Sequence, residues 1–243
     1  MGTRKPEDIR TVALLSHGGA GKTSLAEAML FDAGLTTRMG KVEDKNTVSD
    51  FDNEEHKRQI SISTSLLTIP YRGSTVYVLD TPGFSDFQGE QICALRVVDS
   101  AVIVVSGVHG IEVQTQRGWE GAEEQGIPVA FFVSKMDREH ADYDKVVGEL
   151  KESFSDRVAP LFVPIGQEAS FKGLVDVLSG KAYTYKGDGS KAFSEGPVPQ
   201  ELEEVVSSLR DSLVERIVEA DDELMMRYLD GEEIKYEELV PAL

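Results

Sequence analysis

Four short apolar runs mark the first two thirds of the chain, at residues 11–15, 75–79, 101–105 and 129–133. Each is rich in Val, Ile, Leu or Phe and lacks polar alternation, as strands buried on both faces do. Stretches of helical character lie between them, at 23–33, 87–98, 115–125 and 143–153. Strands alternating with helices predict βαβ units and a mostly parallel sheet. A further strand is expected within residues 60–70, where Ser61, Ser63 and Ser65 alternate with Ile62 and Thr64 ahead of an apolar 66–69. It would be half solvated and pair antiparallel with 75–79 through Tyr71-Arg72-Gly73-Ser74. Residues 34–57 are polar and too long for an ordinary strand–helix connection, a length usually reserved for functional or disordered loops. The last third changes character. Residues 181–199 read as a polar extended loop, and 201–229 carry Leu202, Val205, Val206, Leu209, Leu213 and Ile217 at helical spacing.

Composition narrows the function classes. The 243 residues fit one large domain or one domain with a substantial insertion. With 25 Lys+Arg against 43 Asp+Glu the formal charge is −18. A chain this acidic does not hold nucleic acid by a general basic surface, so sequence-specific nucleic-acid binding is not expected. Phosphate contact must come from a local patch or from backbone N–H groups. Residues 195–243 hold 15 acidic and 4 basic side chains, −11 of the total, which read as a solvated helix face or as an acidic docking surface for a basic partner. No apolar run approaches the ~20 residues of a membrane span, and residues 1–10 contain no apolar signal core. The single Cys93 excludes an internal disulfide and a multi-cysteine zinc site, so a reduced, cytoplasmic setting is expected.

Three motifs carry chemistry. Ser16-His17-Gly18-Gly19-Ala20-Gly21-Lys22-Thr23-Ser24 follows the first strand and resembles the phosphate-binding loop G-x-x-x-x-G-K-[ST], with Ser16 in place of the first Gly. Glycines let successive N–H groups converge on phosphate oxygens, and the helix beginning near Lys22 points its positive end at them. Lys22, expected to be solvated, would reach the β and γ phosphates, and the Thr23 hydroxyl would hold Mg²⁺. Asp80-Thr81-Pro82-Gly83 ends the second apolar run. Asp80 there suits water-mediated Mg²⁺ binding, and Gly83 can offer its N–H to a γ phosphate. Ser134-Lys135-Met136-Asp137 resembles N-K-x-D, the guanine-reading signature of GTPases, with Ser134 where the pattern has Asn. Asp137 could accept from guanine N1–H and the exocyclic amine, and Lys135 could lay its stem over the base.

In this order the motifs resemble those of translational GTPases, the match being closest to the bacterial elongation factor G family. Phe51 to Ile62 resembles that family's first switch, which ends in E-R-G-I-T-I. Pro164-Ile165-Gly166-Gln167-Glu168, Phe171, Gly173, Asp176-Val177-Leu178, Lys181 to Tyr185 and Tyr228 to Glu233 resemble the insertion in its GTP-binding domain. The resemblance implies an α/β phosphate-loop fold with an inserted α+β subdomain, residues 1–157 forming the GTP-binding domain and 158–243 the insertion. It also implies GTP or GDP with Mg²⁺, ribosome-linked GTP hydrolysis by a monomer, and Ser61 as the Mg²⁺-side hydroxyl where the family has Thr. The guanine-supporting loop, the strand and helix around it, and the later ribosome-entering domains would follow Leu243 in a longer protein.

Several positions depart from the family. Gly19 replaces a characteristic Asp and Gln59 a Gly. The pattern D-T-P-G-H has Phe84 as its fifth residue here, where the His would orient the attacking water, so no residue is assigned to catalysis with assurance. These departures point to the divergent, elongation-factor-G-like branch. Two rival functions stay open: a guanine-nucleotide-binding module that hydrolyses slowly or not at all, and a ribosomal-protection factor of the same superfamily. His109 and His140 read as surface loop residues, Cys93 as a small core residue and Trp119 as a packing residue.

Overall fold

A computed structural model describes residues 5–187 and 190–243, which divide into two compact units, Met1–Glu149 and Leu150–Leu243. The first unit follows the order β1 (Ile9–Leu15), α1 (Lys22–Asp32), α2 (Asn53–Arg58), β2 (Ser65–Tyr71), β3 (Ser74–Asp80), α3 (Gln88–Leu95), β4 (Ser100–Ser106), α4 (Val113–Glu124) and β5 (Val129–Ser134), and the division at residue 149 falls within α5 (Tyr143–Ser153). Its strands form one sheet in the order β2-β3-β1-β4-β5. Pairing is parallel between β1 and β3, β1 and β4, and β4 and β5. Strand β2 runs antiparallel to β3, from Ser65 opposite Asp80 to Tyr71 opposite Ser74. The hairpin is closed by Arg72 (φ 46°) and Gly73 (φ 86°), two left-handed residues that match the right-handed strand twist.

The apolar runs at the centre of the sheet are as buried as their lack of alternation predicts. Leu14, Leu15, Ile103, Val104 and Val105 are wholly inaccessible. Helix α1 covers one face with Ala26 and Leu30 against Leu14, Leu67, Ile69 and Val78. Strand β5 departs from the expectation of burial on both faces. It pairs only with β4, and its side chains alternate: Ala130 and Phe132 are exposed while Phe131 stacks on Trp119 at 5.7 Å between centroids. Residues 60–64 also stay outside the sheet, because the N–H groups of Ile62, Ser63 and Thr64 bond to Glu55 and Glu90 instead of a ladder. Cys93 is exposed, not a core residue. Helix α3 buries Gln91, Ala94 and Leu95, and Cys93 falls off that face at 100° per residue.

The second unit holds an antiparallel sheet in the order β6-β7-β8-β9, comprising β6 (Phe162–Ile165), β7 (Gly173–Asp176), β8 (Lys181–Tyr185) and β9 (Phe193–Pro197). Residues 181–199 are therefore not an extended loop. Ala182 packs with Ile165, Val175 and Val206. Across the β8–β9 pair, Lys181 meets Glu195 at 2.6 Å and Tyr183 meets Phe193 edge-on at 5.6 Å. The helical stretch over 201–229 is two helices, α6 (Glu203–Val218) and α7 (Asp222–Leu229), followed by α8 (Tyr236–Ala242). Asp221 starts α7 by accepting from the N–H groups of Glu223 and Leu224. Leu213, Ile217, Leu224 and Leu239 pack with Val163 and Val177. The acidic side chains of α6 lie on its exposed face.

Candidate functional site

The parallel strands β1, β3, β4 and β5 all end on one side of the sheet, where ligands of open α/β folds bind. Residues 16–21 link β1 to α1. Gly19 (φ 78°) and Gly21 (φ 108°) take left-handed conformations there, and no side chain caps the start of α1. That leaves N–H groups for an anion. Ser16 donates its hydroxyl to the Val104 carbonyl, while Ser24 is exposed on the first turn of α1. Lys22 is buried, not solvated: its ammonium donates to the carbonyls of His17 (3.0 Å) and Ser16 (3.4 Å). Burial pushes its pKa down to about 8, against the pull of Asp80 and Asp50.

His17 is held from α4. Its Nε2 lies 3.1 Å from Glu112 and its Nδ1 3.3 Å from the Thr115 hydroxyl. Burial, with Lys22 and Lys135 adding to it, lowers the His17 pKa to about 4, so the contact with Glu112 is a hydrogen bond from a neutral ring.

At the start of α1 the Thr23 hydroxyl stands 3.3 Å from that of Ser61, which in turn donates to Asp50 at 2.7 Å. Asp80 is 1% exposed at the end of β3, and neither carboxylate oxygen has a hydrogen-bond partner among the described residues. Burial raises its pKa to about 6 even with the Thr23 hydroxyl and the Lys22 ammonium nearby. A buried carboxylate left unpaired is costly, and the Thr23 hydroxyl near it, with that of Ser61 3.3 Å beyond, completes an all-oxygen set suited to a hard cation such as Mg²⁺. Asp50 and the likewise unpartnered hydroxyl of Ser49 belong to this cluster. No motif spacing marks either one in the sequence.

The segment after β3 lies directly on the phosphate loop. A Cβ at Gly83 would stand 2.5 Å from Lys22 Nζ and 2.6 Å from the Gly18 nitrogen, so only glycine allows this approach. Thr81 donates to the Leu14 carbonyl, and Gln91 donates to the carbonyls of Ser16 and Pro82. The Phe84 ring covers Gly18: a Cβ there would fall 2.7 Å from its Cε2. After β5, the Ser134 hydroxyl donates to the Ala20 carbonyl at 2.7 Å and joins this loop to the phosphate loop. Lys135 follows in a left-handed conformation (φ 59°), and the exposed Asp137 carboxylate lies 3.8 Å from Arg138. Ser16 to Ser24, Ser61, Asp80, Gly83 and Ser134 thus come together at one end of the sheet.

A strand, a loop of left-handed glycines, a buried Lys-Thr at a helix start and a carboxylate ending the adjacent strand define a phosphate-loop nucleotide-binding domain. Residues 7–226 match the family described as the elongation factor Tu GTP binding domain. An elongation factor G-like protein of Thermotoga maritima is 40% identical over 237 residues, which are 98% of this chain and 33% of that protein. A crystal structure from Thermus thermophilus superposes with a TM-score of 0.89 at 38% identity, covering 96% of this chain and 35% of that one. The chain belongs to the elongation factor Tu GTP-binding domain family, that of the translational GTPases. It spans about a third of the length of these two relatives. Among the described residues no helix is long and apolar enough to cross a membrane.

Proposed function

We propose that the chain is the GTP-hydrolysing domain of an elongation factor G-like protein that acts on the ribosome in the cytoplasm. In this reading residues 1–157 form the GTP-binding domain and 158–243 its insertion. The observation that carries the site is Asp80, a buried carboxylate without a hydrogen-bond partner among the described residues, with the Thr23 hydroxyl nearby and that of Ser61 3.3 Å beyond Thr23. Thr23 and Ser61 would ligate Mg²⁺ directly and Asp80 through water. The ion supplies neutralisation of charge on the β and γ phosphate oxygens. Lys22 would exchange the carbonyls of Ser16 and His17 for phosphate oxygens, and the N–H groups of residues 18–23 would cradle the β phosphate. Gly83, packed against Lys22, would offer its N–H to a γ phosphate. Asp137 would read guanine, and Lys135 would support the base.

Phe84 has no donor or acceptor to orient water, so hydrolysis by this domain alone would be slow. Its seat on Gly18 favours a second reading, a guanine-nucleotide switch with little turnover of its own. Single-turnover GTP hydrolysis with and without ribosomes, for wild type and Phe84→His, separates the two. A water-positioning contact of ~3–4 kcal/mol corresponds to roughly 10²–10³ in rate. Ribosome-stimulated turnover supports the first reading, and none under either condition supports the second. Equal rates for the two proteins would show that position 84 does not control the chemistry.

A further inference from the structure

Buried carboxylates with no phosphate to serve line the segment before β2. Glu55 is 2% exposed. One of its oxygens accepts from the N–H groups of Phe51 (3.1 Å) and Asp52 (3.0 Å), the other from those of Ile62 (2.9 Å) and Ser63 (3.2 Å). A single side chain therefore ties residue 51 to residue 63. The backbone it clamps on one side adjoins Asp50, and on the other adjoins Ser61, whose hydroxyl donates to Asp50 and faces Thr23. From α1, Glu27 is 1% exposed and accepts from the N–H groups of Gly40 and Val48. Gly40 is packed so closely there that a Cβ would lie 2.5 Å from the Glu27 carboxylate.

Four N–H groups converging on one carboxylate are charge-assisted bonds, roughly twice as strong as neutral ones. Glutamine cannot replace it, because its amide would turn an NH₂ toward two of those donors. The clamp also acts where ordering is expensive, since each residue fixed costs about 1–2 kcal/mol of backbone entropy. Each tie supplied by the protein itself spares the ligand part of that cost.

We propose that Glu55, together with Glu27, is a positioning residue of the GTPase site: it holds the Ser61 hydroxyl beside Thr23, and so sets how readily Mg²⁺ is taken up with GTP. This rests on Ser61 and Thr23 being the hydroxyls on the Mg²⁺ side, as proposed above.

The test uses the 243-residue chain, with two readouts. The first is the Mg²⁺ concentration that half-saturates tight binding of a fluorescent non-hydrolysable GTP analogue, with GDP affinity in EDTA as the control for fold and phosphate loop. Glu55→Gln is expected to raise the Mg²⁺ requirement about tenfold and to leave GDP affinity in EDTA within about twofold, with Glu27→Gln smaller in the same direction. The second is the tryptic cleavage rate of nucleotide-free protein after Lys57 and Arg58, which are exposed on α2 inside the clamped segment. That rate should rise in both variants.

In a Ser61→Ala background, Glu55→Gln should add nothing to the Mg²⁺ requirement while still speeding cleavage. A wild-type Mg²⁺ requirement in Glu55→Gln overturns the proposal. So does an equal increase with and without Ser61, which would mark general loosening. A Ser61→Ala variant with an unchanged requirement refutes the assignment of Ser61 itself, whatever the cleavage rates show. Should Glu55→Gln also lose GDP binding in EDTA, the same comparisons on Glu27→Gln decide.

Discussion

Two glycines of the site face similar overlaps and should respond differently to one added methyl. At Gly83 the Cβ would stand 2.5 Å from Lys22 Nζ, 2.6 Å from the Gly18 nitrogen and 2.6 Å from the His17 carbonyl carbon. Ordinary contact needs about 3.5 Å, so two stretches of backbone must part by about 1 Å. Neither is free to do so: Thr81 is bonded to Leu14, and Gln91 bridges Ser16 and Pro82. Overpacking of this kind costs about 1–3 kcal/mol. At Gly18 the Cβ would meet Phe84 Cε2 at 2.7 Å and Cζ at 2.8 Å, but that ring is 43% exposed and can turn outward. Moving it costs about 0.5–1.5 kcal/mol. Neither glycine has a positive φ, so backbone strain does not enter. Urea denaturation should show Gly83→Ala losing about 1–3 kcal/mol and Gly18→Ala the smaller loss, about 0.5–1.5 kcal/mol. Adding Gly18→Ala to Phe84→Ala should then cost nothing more, because the obstacle is gone. Equal losses for the two glycine variants, or a Gly18→Ala penalty that survives removal of the ring, would refute this account.

Further expectations follow from the site. Asp137→Asn should shift preference from guanine toward xanthine nucleotides, because the donor and acceptor pattern reverses at the edge read; competition binding with GDP and XDP that favours GDP as in wild type would exclude Asp137 from base reading. Lys22→Ala should abolish GDP binding in calorimetry, and unchanged affinity would mean that residues 16–24 hold no phosphate. The lowered pKa of His17 makes its contribution to stability present above pH 6.5 and lost as pH falls through about 4, since the unfolded chain binds the proton first. Relative to His17→Gln, wild type should lose about 3 kcal/mol across that window, and parallel stability–pH profiles for the two proteins would show that the ring titrates normally.

Legibility in the sequence followed the range of the interactions. The central strands could be read because burial on both faces leaves an unbroken apolar run, as in β1 and β4. Strand β5 shows nearly the same composition, yet its exposed Phe132 reflects its place at the sheet edge, which composition does not encode. The β8–β9 pair is hidden in the sequence because β9 is polar, and the side chains that meet across the ladder, Lys181 with Glu195 and Tyr183 with Phe193, are paired only once the strands are aligned. At the site, residues 16–24 and 80–83 stand out as contiguous strings, whereas Asp50, Glu27 and Gln91 work through contacts with residues outside any contiguous motif. Glu55 did leave a trace: Asp52 and Glu55 form a capping box that starts α2, a signal four residues long.

The seating of Phe84 on Gly18 orders the substitutions by which such a site can change. A side chain introduced first at position 18 meets an occupied space, and the Phe84 ring must turn out into solvent until position 84 shrinks. A smaller residue introduced first at position 84 leaves only a half-exposed gap, which solvent fills at little cost. The accessible route between a ring over glycine and a side chain over a smaller residue therefore runs through position 84 first.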